Sequence, residues 1–240
     1  MSDNMLVCGK NVAREVLNSN YNIKNIYLID NFNNEEILSL IKKMHESYEY
    51  KTQSEMDKMT KELHQGIIIE IEDYEYLDFN SIRNDVNANF VLILDHIEDP
   101  RNFGAIIRTS ECAGVDYIII PNKRNVEVTS AVMKTSSGAL ANTKIVKVAN
   151  LNNTITKLKE LGYWIVGSDA EGTDYTKIDY RGKIALIIGS EGFGLKEMIR
   201  KNCDYIASIP LKGKVNSLNA SVATGILIYE IVKTRWQKMN

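Results

Sequence analysis

Three short stretches gather the side chains and glycines that could do chemistry. The first, DPRNFGAIIRTS (99–110), begins a helix near Asn102, with Gly104 in its first turn and Arg108 well within it. A guanidinium fork matches the paired oxygens of a phosphate or ribose, and a surface ion pair is the plainer use of the same Arg108. The second, IIGSEGFGL (187–195), runs an apolar strand into Gly189, Gly192 and Gly194, with Glu191 among them. Glycines let main-chain N–H groups come close to a ligand. The pattern is neither the dinucleotide fingerprint nor a P-loop, so nicotinamide and nucleoside-triphosphate readings are weak. Glu191 either caps the next helix or charges a pocket. The third, IPLKGKVNSLNASVATGILIYE (209–230), crowds Pro210, Gly213, Ser217 and Asn219 ahead of an apolar helix with a small-residue face at Ala220, Ala223 and Gly225. One cap needs only one of Ser217 and Asn219. The surplus points to a ligand shared with the Gly189 loop.

Other chemistries find less support. His96 follows a strand without any G-x-S-x-G, so it reads as a loop residue and hydrolase chemistry ranks low. His45, His64 and His96 lack metal-ligand spacing, and no metal is expected. Cys8, Cys112 and Cys203 lie far apart with no C-x-x-C, as free thiols in a reducing cytoplasm would. The net charge of -2 announces no nucleic-acid partner by itself, although a local patch is compatible with it. No apolar run approaches the roughly 20 residues of a membrane span, and the first residues lack a signal-peptide pattern.

The elements that must position these stretches fall into two α/β patterns within the 240 residues. The first, residues 1–75, reads as a short helix at 12–17, a strand at 25–30, a helix at 35–46 and a turn feeding a strand at 64–71. Residues 74–88 are polar and aromatic by turns, and read as a linker that includes a short helix. From residue 89 onward, strands at 90–95, 116–121, 144–148, 163–169, 183–189 and 205–210 alternate with helices at 104–113, 127–140, 152–161, 195–201 and 217–235. That alternation predicts a parallel sheet covered on both faces. Such sheets bind ligands beyond the carboxyl ends of their strands, which singles out the loops after Leu94, Ile188 and Ile209. Asn102 is expected to cap its helix.

Taken together, the three stretches resemble the SpoU (TrmH) family of RNA ribose 2'-O-methyltransferases, within the SPOUT class. NFGAIIRT looks like the family's first motif, IIGSEGFGL its second, and IPLKGKVNSLNASVATGILIYE its third, in matching order and spacing. GKNVAREVL and HQGI look like the family's L30e/L7Ae-like RNA-binding extension, and the whole is most similar to bacterial 23S rRNA guanosine-2'-O-methyltransferases. Lys10 departs from the usual arginine, and Asn216 from a position often acidic or serine. The resemblance implies a C-terminal deep trefoil knot in residues 89–240, a linker at 76–88 and an RNA-binding domain at 1–75. It implies S-adenosylmethionine as cofactor, bound by Gly167, Gly189, Ile209 and Leu218. It assigns catalysis to Arg108, Asn102, Glu191, Ser217 and Asn219: Arg108 on the ribose hydroxyl and adjacent phosphate, Asn102 orienting it, Ser217 and Asn219 fixing the loop and nucleotide, Glu191 shaping the loop. It also implies a cytoplasmic homodimer acting on 23S rRNA, with no membrane and no metal. Lys10 and Arg14 would meet RNA phosphates. A tRNA ribose methyltransferase, or an RNA-binding protein without transfer activity, is the alternative.

Overall fold

The computed structural model describes residues 4–19, 21–44, 46–190 and 194–236. They form two compact units, one of residues up to Glu75 together with Val128–Asn142, the other of Tyr76–Glu127 and Thr143 onward.

The first unit is built on a four-stranded sheet in the order β1-β4-β2-β3, formed by β1 (Asn4–Cys8), β2 (Ile23–Ile29), β3 (Glu49–Lys51) and β4 (Ile67–Glu72). β4 lies antiparallel between β1 and β2, and its run Ile67, Ile68, Ile69 is fully buried, as an inner strand's should be. Helix α1 (Lys10–Leu17) buries Val12, Ala13, Val16 and Leu17 on one face. α2 (Glu35–Lys43) starts at Asn34, whose side chain accepts from Ile37 N at 3.0 Å. α3 (Gln53–Met59) starts at a Thr52–Glu55 capping box. His64 is buried and structural: its Nδ1 accepts from Gly66 N at 3.0 Å and Asp57 stands 3.1 Å from its Nε2. β1, β3 and α3 are elements the sequence pattern did not predict.

The second unit carries a six-stranded sheet in the order β10-β8-β9-β5-β6-β7, with every neighbouring pair parallel. Its strands are β5 (Phe90–Leu94), β6 (Tyr117–Pro121), β7 (Ile145–Val148), β8 (Tyr163–Asp174), β9 (Lys183–Ile188) and β10 (Tyr205–Ser208). Central strands β5 and β9 are nearly continuous apolar runs, because both sheet faces are covered. On one face Val91, Ile93, Val146, Ile165, Ala185 and Ile187 join a core with α7 (Leu151–Glu160) and α8 (Glu197–Asn202). α5 (Pro100–Ala113) and α9 (Ala220–Trp236) pack against each other, and α9 against β9. The chain runs outward from β5 through β6 to β7, returns to β8, then inserts β9 between β8 and β5. That reversal is a topological switch point, where open parallel sheets hold their ligands.

Several boundaries differ from the sequence expectation. α5 begins at Pro100, not near 104, and its cap is Asp99, whose carboxylate accepts from Arg101 N at 2.8 Å. A carboxylate followed by proline is the stronger helix start, so Asn102 lies inside the first turn rather than at the cap. The helix expected over 127–140 is the shorter α6 (Ser130–Ser136), stopped where Ser137 and Gly138 take positive φ, and followed by a 3-10 turn at Ala139–Asn142. β8 continues five residues past its expected end, to Asp174. Residues 76–88 contain α4 (Phe79–Asn84), and Leu77 N donates to Ile145 O at 2.9 Å on β7.

Candidate functional site

A cleft of about 570 Å³ opens at the carboxyl ends of β8, β9 and β10. Ser168, Asp169 and Ala170 form one wall, Ile188, Gly189, Ser190 and Gly194 the floor, and Ile209, Leu211 and 216–220 with Ala223 the remainder. The volume falls within the range of small-molecule sites, roughly 300–1,000 Å³.

The glycine turn makes the floor thin. A Cβ on Gly189 would stand 2.4 Å from the main chain of Gly194, so any other residue would push the turn apart. Gly194 has φ 63, its N–H donates to Ser190 O at 3.1 Å, and the two residues form an isolated bridge. At these two positions glycine is required by the close main-chain approach and the positive φ.

The closing segment contributes through Asn219. Its side-chain oxygen caps α9, accepting from Ser221 N at 2.9 Å, Ser221 Oγ at 2.6 Å and Val222 N at 3.3 Å. Its amide nitrogen donates to Asn102 Oδ1 at 2.9 Å. One asparagine therefore starts the last helix and ties it to α5, and Ser217 is left to the cleft wall. That division explains the surplus of small polar residues in this stretch.

Of the residues expected to bind a cofactor, Gly189, Ile209 and Leu218 line the cleft. Gly167 does not. It faces inward, where a Cβ would meet Leu195 at 2.5 Å and Cys203 at 2.7 Å, so its missing side chain serves packing. Burial pushes the neighbouring Cys203 thiol up to about 11, so it stays protonated at neutral pH and is no nucleophile. Of the residues expected to act in catalysis, Ser217 and Asn219 line the cleft, and buried Asn102 joins it through Asn219. Arg108 is exposed on α5 and is not among the lining residues. Glu191 and Gly192 lie outside the described residues.

The loop after Leu94, expected at the ligand edge, is not among the residues that line this cleft. Asp95 is completely buried, its carboxylate touches His96 Nδ1, and Lys196 Nζ reaches it at 3.5 Å. Lys196 follows the glycine turn, so this ion pair ties that turn to the end of β5. Sequence reasoning missed Asp169, Ser190, Leu211 and Asn216. The strand-end rule, applied also to β8, would have pointed to Asp169.

In the first unit, Arg14 is held by Glu36 through two bonds of 2.6 and 2.8 Å. Lys10 Nζ lies 5.8 Å from the centre of the Phe32 ring. Among the described residues no group of three or more His, Cys, Asp or Glu side chains is placed to hold a metal ion. No described helix is long and apolar enough to cross a membrane.

Residues 89–229 match the model of the SpoU rRNA Methylase family, and residues 6–77 match that of the RNA 2'-O ribose methyltransferase substrate binding domain. A protein of Staphylococcus saprophyticus assigned to the TrmH family of tRNA/rRNA methyltransferases is 37% identical, with 97% of each chain covered. YacO of Bacillus subtilis, assigned likewise, is 36% identical over 95% of each. The fold is shared with the SpoU methyltransferase AviRb of Streptomyces viridochromogenes in complex with AdoMet, at TM-score 0.82 and 22% identity, covering 98% of this chain and 91% of that one. An AdoMet-bound rRNA methyltransferase of Sinorhizobium meliloti superposes with TM-score 0.80 at 24% identity, covering 96% and 87%. A TrmH/SpoU tRNA modifying enzyme of A. aeolicus gives TM-score 0.57 at 28% identity, covering 63% and 78%.

Proposed function

Because the chain belongs to the SpoU rRNA methylase family, we propose that it transfers the methyl group of S-adenosylmethionine to a ribose 2'-hydroxyl of RNA, at a guanosine of 23S rRNA. The observation that carries this reading is the cleft at the ends of β8, β9 and β10, lined by Gly189 and Gly194, whose main chains meet too closely for a Cβ between them. Gly189, Ser190, Ile209 and Leu218 would hold the cofactor there, with main-chain groups reading its adenine. When bound, the cofactor supplies a methyl group on a positively charged sulfur, already activated for transfer.

What remains for the protein is placement of the hydroxyl and an outlet for its proton. A guanidinium is a poor base, with a pKa above about 12. Arg108 therefore acts electrostatically: it lowers the hydroxyl's pKa and holds the adjacent phosphate, and phosphate or water takes the proton. Asn102 and Asn219 fix the two elements that carry the acceptor side. Arg108 is absent from its own chain's cleft, and Leu211, Val215, Leu218, Val222 and Tyr229 are exposed apolar residues in the closing stretch. Both facts support a two-fold homodimer in which Arg108 serves the partner's cleft. Sedimentation of a stable monomer at micromolar concentration would overturn that.

The same reading includes a deep trefoil knot through residues 89–240, an L30e/L7Ae-like domain at 1–75 that grips RNA with Lys10, and a linker at 76–88. Gly167 supports the cofactor wall from behind. An rRNA substrate places the protein in the cytoplasm. The full-length match to an rRNA enzyme, against a partial match to a tRNA enzyme, favours rRNA over tRNA. Incubating the protein with labelled S-adenosylmethionine and total RNA from a strain lacking it, then mapping 2'-O-methyl sites, tests the proposal. A single new site in 23S rRNA is expected. A tRNA site would replace the substrate, and no incorporation would overturn the activity.

A further inference from the structure

Among the described residues that line the cleft, Asp169 has the one ionisable side chain; the rest are serines, asparagines, glycines and apolar residues. Its carboxylate is held in place from behind. Arg200 Nη1 lies 2.8 Å from Asp169 Oδ2, Arg200 Nη2 donates to Glu171 O at 2.7 Å, and Glu171 N donates to Asp169 Oδ1 at 3.2 Å. Arg200 stands on α8 and does not line the cleft. The ion pair is thus a fixed dipole with its negative end toward the cleft. The side chain of Asp169 is 20% exposed, and Oδ2 lies 3.5 Å from where a Cβ of Gly194 would be, directly beside the thin floor. A carboxylate has about four acceptor positions and these contacts use two of them.

We infer that Asp169 recognises the positive charge of the methyl donor, with Arg200 as the counterion that tempers its charge from behind. The inference rests on the reading that S-adenosylmethionine occupies this cleft. The donor carries a sulfonium and an α-ammonium group, S-adenosylhomocysteine only the ammonium, and 5'-methylthioadenosine neither, although all three share the adenosine. A charge-reading carboxylate therefore ranks the three ligands by their cationic groups. A carboxylate that bonds the ribose, or only braces the wall, treats them alike. The same ranking would favour release of the demethylated product over the donor.

Calorimetric titration of the full chain with each of the three compounds tests this. Asp169→Asn keeps the shape and the acceptor oxygen but removes the charge. It is expected to weaken S-adenosylmethionine roughly tenfold and S-adenosylhomocysteine about threefold, and to leave 5'-methylthioadenosine unchanged. Arg200→Gln leaves Asp169 charged and removes its counterion, so the preference for S-adenosylmethionine over 5'-methylthioadenosine is expected to rise. Equal weakening of all three ligands by Asp169→Asn, no weakening at all, or a fall in that preference with Arg200→Gln would overturn the inference. Thermal melts within a few degrees of the parent show that each variant is folded. Ala223→Leu, which narrows the cleft itself, separates the two readings. If it leaves binding intact, or the parent binds none of the three, the cofactor assignment fails. If it blocks binding while Asp169→Asn leaves the ranking untouched, only the role of Asp169 fails.

Discussion

Asn102 and Arg108 share one helix and meet opposite surroundings. Six residues carry them about 9 Å along the axis and about 120° apart around it. Asn102 faces inward, buried and bonded to Asn219, while Arg108 faces solvent. Asn102 is thus tied to the cleft of its own chain through Asn219, whereas Arg108, further along the same helix, is exposed and does not line that cleft. The lesson is that a sequence motif need not be a spatial cluster within one chain, and the proposed division of binding and transfer between two surfaces can be tested by damaging each separately.

The sharpest way to break the contrast is Arg108→Ala. Methyl transfer should fall by about two to three orders of magnitude, since a preorganised charge at the reacting oxygen is lost. Affinity for S-adenosylmethionine should stay within about twofold of the parent. A tritium-transfer assay beside a calorimetric titration checks both, and turnover near the parent's would remove Arg108 from the chemistry. Leu218→Ala attacks the other surface. It removes apolar contact at the cleft and should raise the cofactor dissociation constant about tenfold, with turnover at saturating cofactor largely retained. The smallest effect is expected at the joint between the two. Asn219→Ala leaves the buried Asn102 amide without this partner and α9 without its cap, a loss of about 2 kcal/mol. That corresponds to a melting point roughly 4–8 °C lower by calorimetry. An unchanged melting point would mean that the bond contributes nothing to holding α5 and α9 together.

Much of this was legible in the residues. The runs FVLIL and KIALII read as strands of a covered sheet and are its inner strands, and Gly189 and Gly194, read as a turn of special backbone, meet too closely for any Cβ. That Ile209, Leu218 and Gly189 stand together was an implication of the resemblance, and all three line the cleft. What was not legible has a common cause. Gly167 looked like a cleft wall because it ends an apolar run, yet the side chains that fill its space, Leu195, Cys203 and Ile206, come from 28 to 39 residues away. Asp169 carries no local signal, because Arg200, which fixes it, belongs to a later helix. Asn102 has the chemistry of a cap, but Asp99 followed by Pro100, three and two residues earlier, starts the helix first. Local pattern finds the strand; it does not reveal which remote side chain will close on its end.

The chain's excursion from 128 to 142 has a practical consequence. Its apolar residues Val132, Met133 and Leu140 are buried, and α6 packs on α1 and β1, all within the first unit. Cutting the gene after codon 75 would therefore not divide the protein along a seam. The larger fragment would carry a sticky helix stripped of its bed, and the smaller one would lack part of its own lining. A soluble N-terminal fragment calls for residues 128–142 to be grafted back through a flexible tether, so that the boundary is drawn in space rather than along the sequence.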